Sequence, residues 1–143
     1  MPPLSKDLFP KRNIPEKIYG YEVRNPRESE LQYFYDNPNV SGMAAEDNRI
    51  ILNPYSNLDN NQMNSVAQNE AIRLYLRNNK IEPTFNLTDE QTKQFKDYST
   101  NLTDVKHTIL GRILTNDTSV GKVTPEQKKY SDWLQKQLSE LKQ

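Results

Sequence analysis

His107 is the only histidine in 143 residues, and there is no cysteine. Without thiols, a disulfide scaffold, a cysteine nucleophile, a thiolate-bound zinc and an iron–sulfur cluster are all excluded. His107 lies between Val105 and Ile109 on a helical pattern, and a histidine so placed reads as a packed or an exposed side chain rather than a base. No serine stands in a Gly-x-Ser-x-Gly elbow, and Ser41-Gly42 lacks the preceding glycine. Gly20, Gly42, Gly111 and Gly121 are too far apart to form a phosphate-cradling loop. Asp59-Asn60-Asn61-Gln62 lacks the glycine and the terminal glutamate of a calcium loop. The carboxylates of Asp36, Glu46, Asp47, Asp59 and Glu70 show no spacing that selects a pair for glycosidase or two-metal chemistry.

One string carries a more specific pattern. Asn48 to Leu76 reads as a short strand ending in Asn53-Pro54, a loop, and a helix holding Asn69-Glu70-Ala71-Ile72-Arg73. This resembles, in degenerate form, the His-Glu-x-x-His helix of zinc metallopeptidases. There, two histidines four residues apart share a helical face and bind the metal, and the glutamate is the general base. Glu70 keeps the glutamate position, but Asn69 and Arg73 replace both ligands, and a guanidinium repels a cation. The expectation is no metal, no cofactor and no catalytic residue. Asn69, Glu70 and Arg73 are instead expected to form a structural polar cluster that fixes the helix.

The surrounding elements follow from periodicity and capping signals. Five of the nine prolines fall within Met1 to Arg27, which argues against a helix or a central strand there. Leu4, Leu8, Phe9, Ile14, Ile18, Tyr19 and Tyr21 are spread through that stretch, so residues 1–25 read as an extended, non-regular arm whose apolar side chains lie on another surface. The arm either wraps its own domain or crosses to a partner; the expectation is that it binds a partner through these residues. Residues 26–143 read as a single helical domain with a small β-hairpin. Asn25-Pro26 suits a helix start, with Leu31, Phe34 and Tyr35 as its inner stripe. Met43 to Ala45 and Arg49 to Leu52 read as a strand pair around Glu46-Asp47-Asn48.

The remainder is helical. A helix opens at Asn60 or Asn61 and lasts to about Arg77, with Met63, Val66, Ala67, Ala71 and Leu74 at helical spacing. Thr88-Asp89-Glu90-Gln91 is a capping box ahead of Phe95 and Tyr98. Asn101 or Thr103 begins the helix of Val105, Ile109 and Ile113. Thr124-Pro125-Glu126-Gln127 opens the last helix, whose face is expected to carry Tyr130, Trp133, Leu134, Leu138 and Leu141. The fold class is therefore mainly α (α+β): a small helical domain with a short strand pair and an extended N-terminal arm.

Nineteen basic residues balance nineteen acidic ones, so the chain lacks the cationic surplus that phosphate contacts need, and no direct nucleic-acid specificity is expected. The longest apolar run, Ile50-Ile51-Leu52, is far short of the ~20 residues of a membrane span. The first residues do not look like a signal peptide. Only 34% of residues are hydrophobic and the mean hydropathy is −0.96, so the core is small and a partner is expected to supply part of the burial.

Several segments together resemble a group of short uncharacterised proteins of tailed bacteriophages. They are Pro38 to Asp47, Ile51 to Ser56, Asn69 to Leu74, Ile109 to Leu114, and Thr124 to Gln127. The resemblance implies a phage origin, and within a phage a small neutral protein with an apolar arm is expected to be a non-enzymatic structural or assembly component of a virion, in the head, neck or interior. Such a protein would be assembled in the host cytoplasm and would bind other virion proteins or copies of itself through its N-terminal arm. The alternative reading is a small phage-encoded enzyme or host-directed inhibitor on the degenerate metallopeptidase-like layout, with Glu70 at its site.

Overall fold

The computed structural model describes residues 14–97 and 101–141. Leu4, Leu8, Phe9 and Tyr98, named above, lie outside them. The described chain is a small α+β fold. Its strands are β1 (Lys17–Ile18), β2 (Tyr21–Arg24), β3 (Gly42–Ala44) and β4 (Ile50–Leu52). Its helices are α1 (Glu28–Asp36), α2 (Asn60–Asn78), α3 (Asp89–Gln94), α4 (Leu102–Leu114) and α5 (Pro125–Ser139), with a 3₁₀ turn at Thr118–Val120. The chain divides into two compact units, one up to Ala71 and one from Ile72, so the division falls inside α2.

In the first unit the sheet order is β1-β2-β4-β3. β1 and β2 are antiparallel around Tyr19 and Gly20, with φ of 53° and 85°. Two positive φ values make a hairpin turn whose twist matches the strands. β2 runs parallel to β4, pairing Val23 with Ile50 and Arg24 with Ile51. A parallel pair needs a long crossover, and the intervening chain supplies it with α1 and β3. β3 returns antiparallel to β4, with Met43 opposite Ile51. The turn between them closes through Ala45 N–H to Arg49 O at 2.8 Å, with Asn48 at φ 60°, as expected from the sequence. A Cβ on Gly42 would stand 2.8 Å from Val66 Cγ1, so only glycine lets β3 approach α2 this closely.

The expected arm differs from the fold over its last third. Regular structure begins at Lys17, and β2 takes an interior place in the sheet. Pro15 and Pro26 bracket a stretch free of proline, which leaves the backbone donors of β2 available for pairing. Ile14 and Ile18, each 6% exposed, join Phe34, Ile50, Leu52, Met63 and Ala67 among the buried residues of this unit. α1 starts at Glu28 rather than at Pro26. Arg27 is its cap residue, and the Arg27 N–H donates to Glu30 Oε1 at 2.7 Å. Of the expected α1 stripe, Phe34 is buried and Tyr35 is exposed.

The second unit begins with the end of α2. Lys80 has φ 52°; its N–H donates to Arg77 O, and Ile81 N–H donates to Leu76 O at 2.9 Å. This double closure is a Schellman motif with lysine in the usual glycine position. Asn116, at φ 60°, ends α4 in the same way, with Asp117 N–H donating to Arg112 O at 2.8 Å. Ile72, Leu76, Phe85, Ile109, Leu110, Leu134 and Leu138 are the largest fully buried side chains among the described residues of this unit. The buried positions of α5 are Gln127, Ser131, Leu134 and Leu138, a four-three-four spacing that lies on one face. Trp133 lies just off that stripe and is 44% exposed, contrary to the sequence expectation. Two polar residues hold core positions because their hydrogen bonds are met inside the protein, and the indole is left at the border.

Candidate functional site

The helix bearing Asn69, Glu70 and Arg73 forms as expected within α2. Arg73 Nη2 donates to Thr108 Oγ1 at 2.7 Å, and Thr108 Oγ1 donates to Asp104 O at 3.1 Å. Arg73 therefore ties the last turns of α2 to α4 within the second unit. Asn69 Oδ1 is buried without a hydrogen-bond partner. Among the described residues, no group of three or more His, Asp and Glu side chains is arranged to hold a metal ion.

His107 sits in α4 at 4% exposure, with Nε2 2.8 Å from Ile81 O. Burial, the largest cause, pushes its pKa below the ordinary histidine value. Arg73 and Arg77 push the same way, against the Ile81 hydrogen bond and Asp104.

The most completely satisfied polar group was not legible as a pair. Thr88 and Thr124 cap α3 and α5, and each accepts from the backbone N–H of the glutamine three residues on. Those glutamines, Gln91 and Gln127, have no exposed surface. Gln127 Nε2 donates to Gln91 Oε1 at 2.7 Å, and Gln91 Nε2 donates to Gln127 Oε1 at 3.1 Å. Gln127 Nε2 also donates to Asn86 O at 3.0 Å, and Gln91 Nε2 to Val120 O at 3.4 Å. Thr88 N–H and Thr124 N–H donate back to the two amide oxygens. Both NH₂ hydrogens and both lone pairs of each side chain are thus engaged, which is the full capacity of an amide. The available signal was Thr-x-x-Gln occurring twice; nothing local says that the two boxes meet.

In the first unit, Arg24 forks onto Glu30, with Nη1 to Oε1 at 2.8 Å and Nη2 to Oε2 at 2.9 Å, while its Nε donates to Asp47 Oδ2 at 3.0 Å. Arg27 and Arg49 also lie within ion-pair distance of Asp47. The hydrogen bond from Arg24 is the main reason that the Glu30 carboxyl is held below its ordinary pKa. For Asp47, desolvation pushes upward, but the Arg24 hydrogen bond and the charges of Arg24, Arg27 and Arg49 outweigh it, so its pKa also falls.

The candidate binding features are exposed aromatic and apolar side chains. Among the described residues, Tyr33 and Tyr35 on α1, Leu102 on α4 and Trp133 on α5 are the large hydrophobic residues left exposed. Tyr35 meets the Tyr55 ring edge-on at 5.4 Å. Phe85, Tyr130 and Trp133 form a ladder with centroid separations of 5.8 and 5.4 Å, running from a fully buried ring to an exposed one. Of the arm residues expected to bind a partner, Ile14 and Ile18 are buried within the first unit, whereas Tyr19 and Tyr21 are half-buried. The second unit also contains a cleft of about 540 Å³ beside the 3₁₀ turn, floored by Ile113, Leu114 and Val120 and rimmed by Asp117, Lys128 and Asp132. Among the described residues, no helix is long and apolar enough to cross a membrane. Comparison with protein-family models, with curated proteins and with solved structures finds no match for this chain.

Proposed function

We propose that the protein is a non-enzymatic structural or assembly component of a tailed-bacteriophage particle, in its head, neck or interior, that binds other virion proteins or copies of itself. The observation that carries this reading is the exposure of Trp133 at the end of the Phe85–Tyr130 ladder. Aromatic side chains rigidly seated at one edge and open at the other are the groups that anchor protein interfaces. Tyr33 and Tyr35 add two further exposed rings on α1. The arm contributes through Leu4, Leu8 and Phe9, since Ile14 and Ile18 are engaged in the protein's own core.

Mass spectrometry of purified particles tests the reading. Many copies per particle are expected, and absence from particles overturns it. A truncation lacking residues 1–13 keeps β1 and β2 and removes Leu4, Leu8 and Phe9. It is expected to fold and to lose incorporation into particles; wild-type incorporation would remove the arm from the proposal.

A further inference from the structure

His107 is held by one bond and lacks another. Its Nε2 lies 2.8 Å from Ile81 O. A carbonyl oxygen only accepts, so Nε2 carries the proton and donates it. Nδ1 is then the bare nitrogen, and it is buried with no hydrogen-bond partner. Ile81 is also the residue whose N–H closes the end of α2 onto Leu76 O. One imidazole therefore grips the carbonyl of the residue that terminates α2.

The charges facing the ring are Arg73 and Arg77 from α2 and Asp104 from the first turn of α4. Lys80 and Glu82, which flank Ile81, are exposed. Lys106, the neighbour of His107 on α4, donates to Pro83 O at 3.2 Å. Two cations and one carboxylate are thus set against a ring that has no acceptor for a second N–H.

We propose that His107 is an acid-sensitive latch of the second unit: a proton added at Nδ1 drives the ring from its buried site and releases the segment that follows α2. A charged imidazolium there would keep the Ile81 bond. It would also bury an unpaired N–H and a net charge, a combination that buried sites do not tolerate without partners. Moving the ring to water relieves both but breaks the bond to Ile81 O. The direction of the histidine shift agrees, since burial and the two arginines lower it. A pKa lower in the folded than in the unfolded chain makes the unfolded chain bind more protons between the two values. Stability is therefore complete above the unfolded value near 6.5 and falls as the pH drops through the window below it. One linked proton lowers the folding equilibrium by at most about tenfold per pH unit.

Because His107 is the only histidine, its ring signals in an NMR titration of the full chain need no assignment. The expected result is a Nε2–H tautomer at neutral pH and a midpoint below 6.5. A midpoint at or above that value, or a Nδ1–H tautomer, overturns the proposal. His107→Gln supplies a second arm, because its amide nitrogen can still donate toward Ile81 O but does not titrate. Between about pH 7 and pH 5 the wild type should lose stability more steeply than the variant; parallel pH profiles overturn the latch. If the variant does not fold, the histidine titration decides alone.

Discussion

The two units secure their loops and helix starts with polar networks of opposite character. In the first, Arg24, Glu30 and Asp47 form a charged fork that stays partly wet, with side-chain exposures of 14%, 19% and 27%. In the second, Gln91 and Gln127 form a neutral amide pair that is fully dry. The difference follows from desolvation. Stripping water from an ion costs several kcal/mol that even a good partner only partly offsets, so charged forks are best placed at a border. An amide loses far less on burial, and four well-placed hydrogen bonds can satisfy it completely. The first network should therefore answer to pH and salt, and the second to neither, while the second is more sensitive to the loss of one member.

The largest effect is expected from breaking the dry pair on one side. Gln127→Leu leaves Asn86 O, Thr124 N–H and half of the Gln91 amide without partners. Unpaired buried groups cost roughly 1–3 kcal/mol each. The Gln91 amide is fully buried, while the Asn86 and Thr124 groups are only partly buried and can turn to water. A total of roughly 2–4 kcal/mol is therefore expected in denaturant unfolding. Combining it with Gln91→Leu should cost less than the sum of the two single changes by more than about 1 kcal/mol. Strict additivity would show that the two amides do not act as a pair.

A smaller loss is expected from the charged fork. Arg24→Ala leaves Glu30 and Asp47 facing each other without their shared cation, and water reaches both. The expected cost is about 1–2 kcal/mol, shrinking as salt screens the carboxylates. A cost independent of salt would mean that lost packing of the arginine stem dominates.

The same contrast can be read in acid. Glu30 and Asp47 are held below their ordinary values of 4.5 and 3.8. Folded-state pKa values below the unfolded ones mean stability that is present above the unfolded values and lost as the pH falls through the folded ones. Glu30→Gln should therefore flatten the acid limb of the unfolding profile, starting at about pH 5 and continuing downward. Gln91→Leu should shift the whole profile without changing its slope. An unchanged acid limb in Glu30→Gln would take Glu30 out of the network.

The smallest effect belongs to the exposed pair Lys128 and Asp132, 3.4 Å apart one turn from each other on α5. Asp132→Ala should change stability by only about 0.3–0.5 kcal/mol. A thermal shift as large as that of Arg24→Ala would erase the distinction between a bidentate border fork and a single surface ion pair.

Much of the fold could be read before the structure because its signals are local. The β3–β4 turn at Glu46-Asp47-Asn48, the extent of α2 and the caps at Thr88 and Thr124 depend on neighbouring residues, and they appear where expected. A third box was missed at the start of α2. Asp59 N–H donates to Gln62 Oε1, and Gln62 N–H donates to Asp59 Oδ1 at 2.8 Å. Its Asp-x-x-Gln signal was present but was hidden in a run of asparagines. β1 and β2 are not legible in the proline density of residues 1–27, because a four-residue strand needs only its own donors. Of the candidate site, the seats of Trp133 and Tyr35 are not legible in the sequence, since apolar character alone does not say which of two adjacent helical positions a core will admit.

One tetrapeptide marks the boundary between local and tertiary control. Asn-Leu-Thr-Asp occurs at residues 86–89 and again at 101–104. At the first, Thr88 is the cap; at the second, Asn101 is the cap and its Oδ1 accepts from Thr103 N–H at 2.9 Å. The sequence by itself determined that both segments start helices, because each offers three side chains able to cap. It also favoured Thr88 at the first site, where Gln91 can reach back, whereas Lys106, three residues after Thr103, cannot accept a hydrogen bond. That Gln91 then turns its remaining amide groups onto Gln127, 36 residues away, was decided only by the tertiary structure. A capping box occupies only one lone pair of the glutamine amide and is made between near neighbours, but filling an amide's full capacity in a dry core requires partners that only the packed chain brings together.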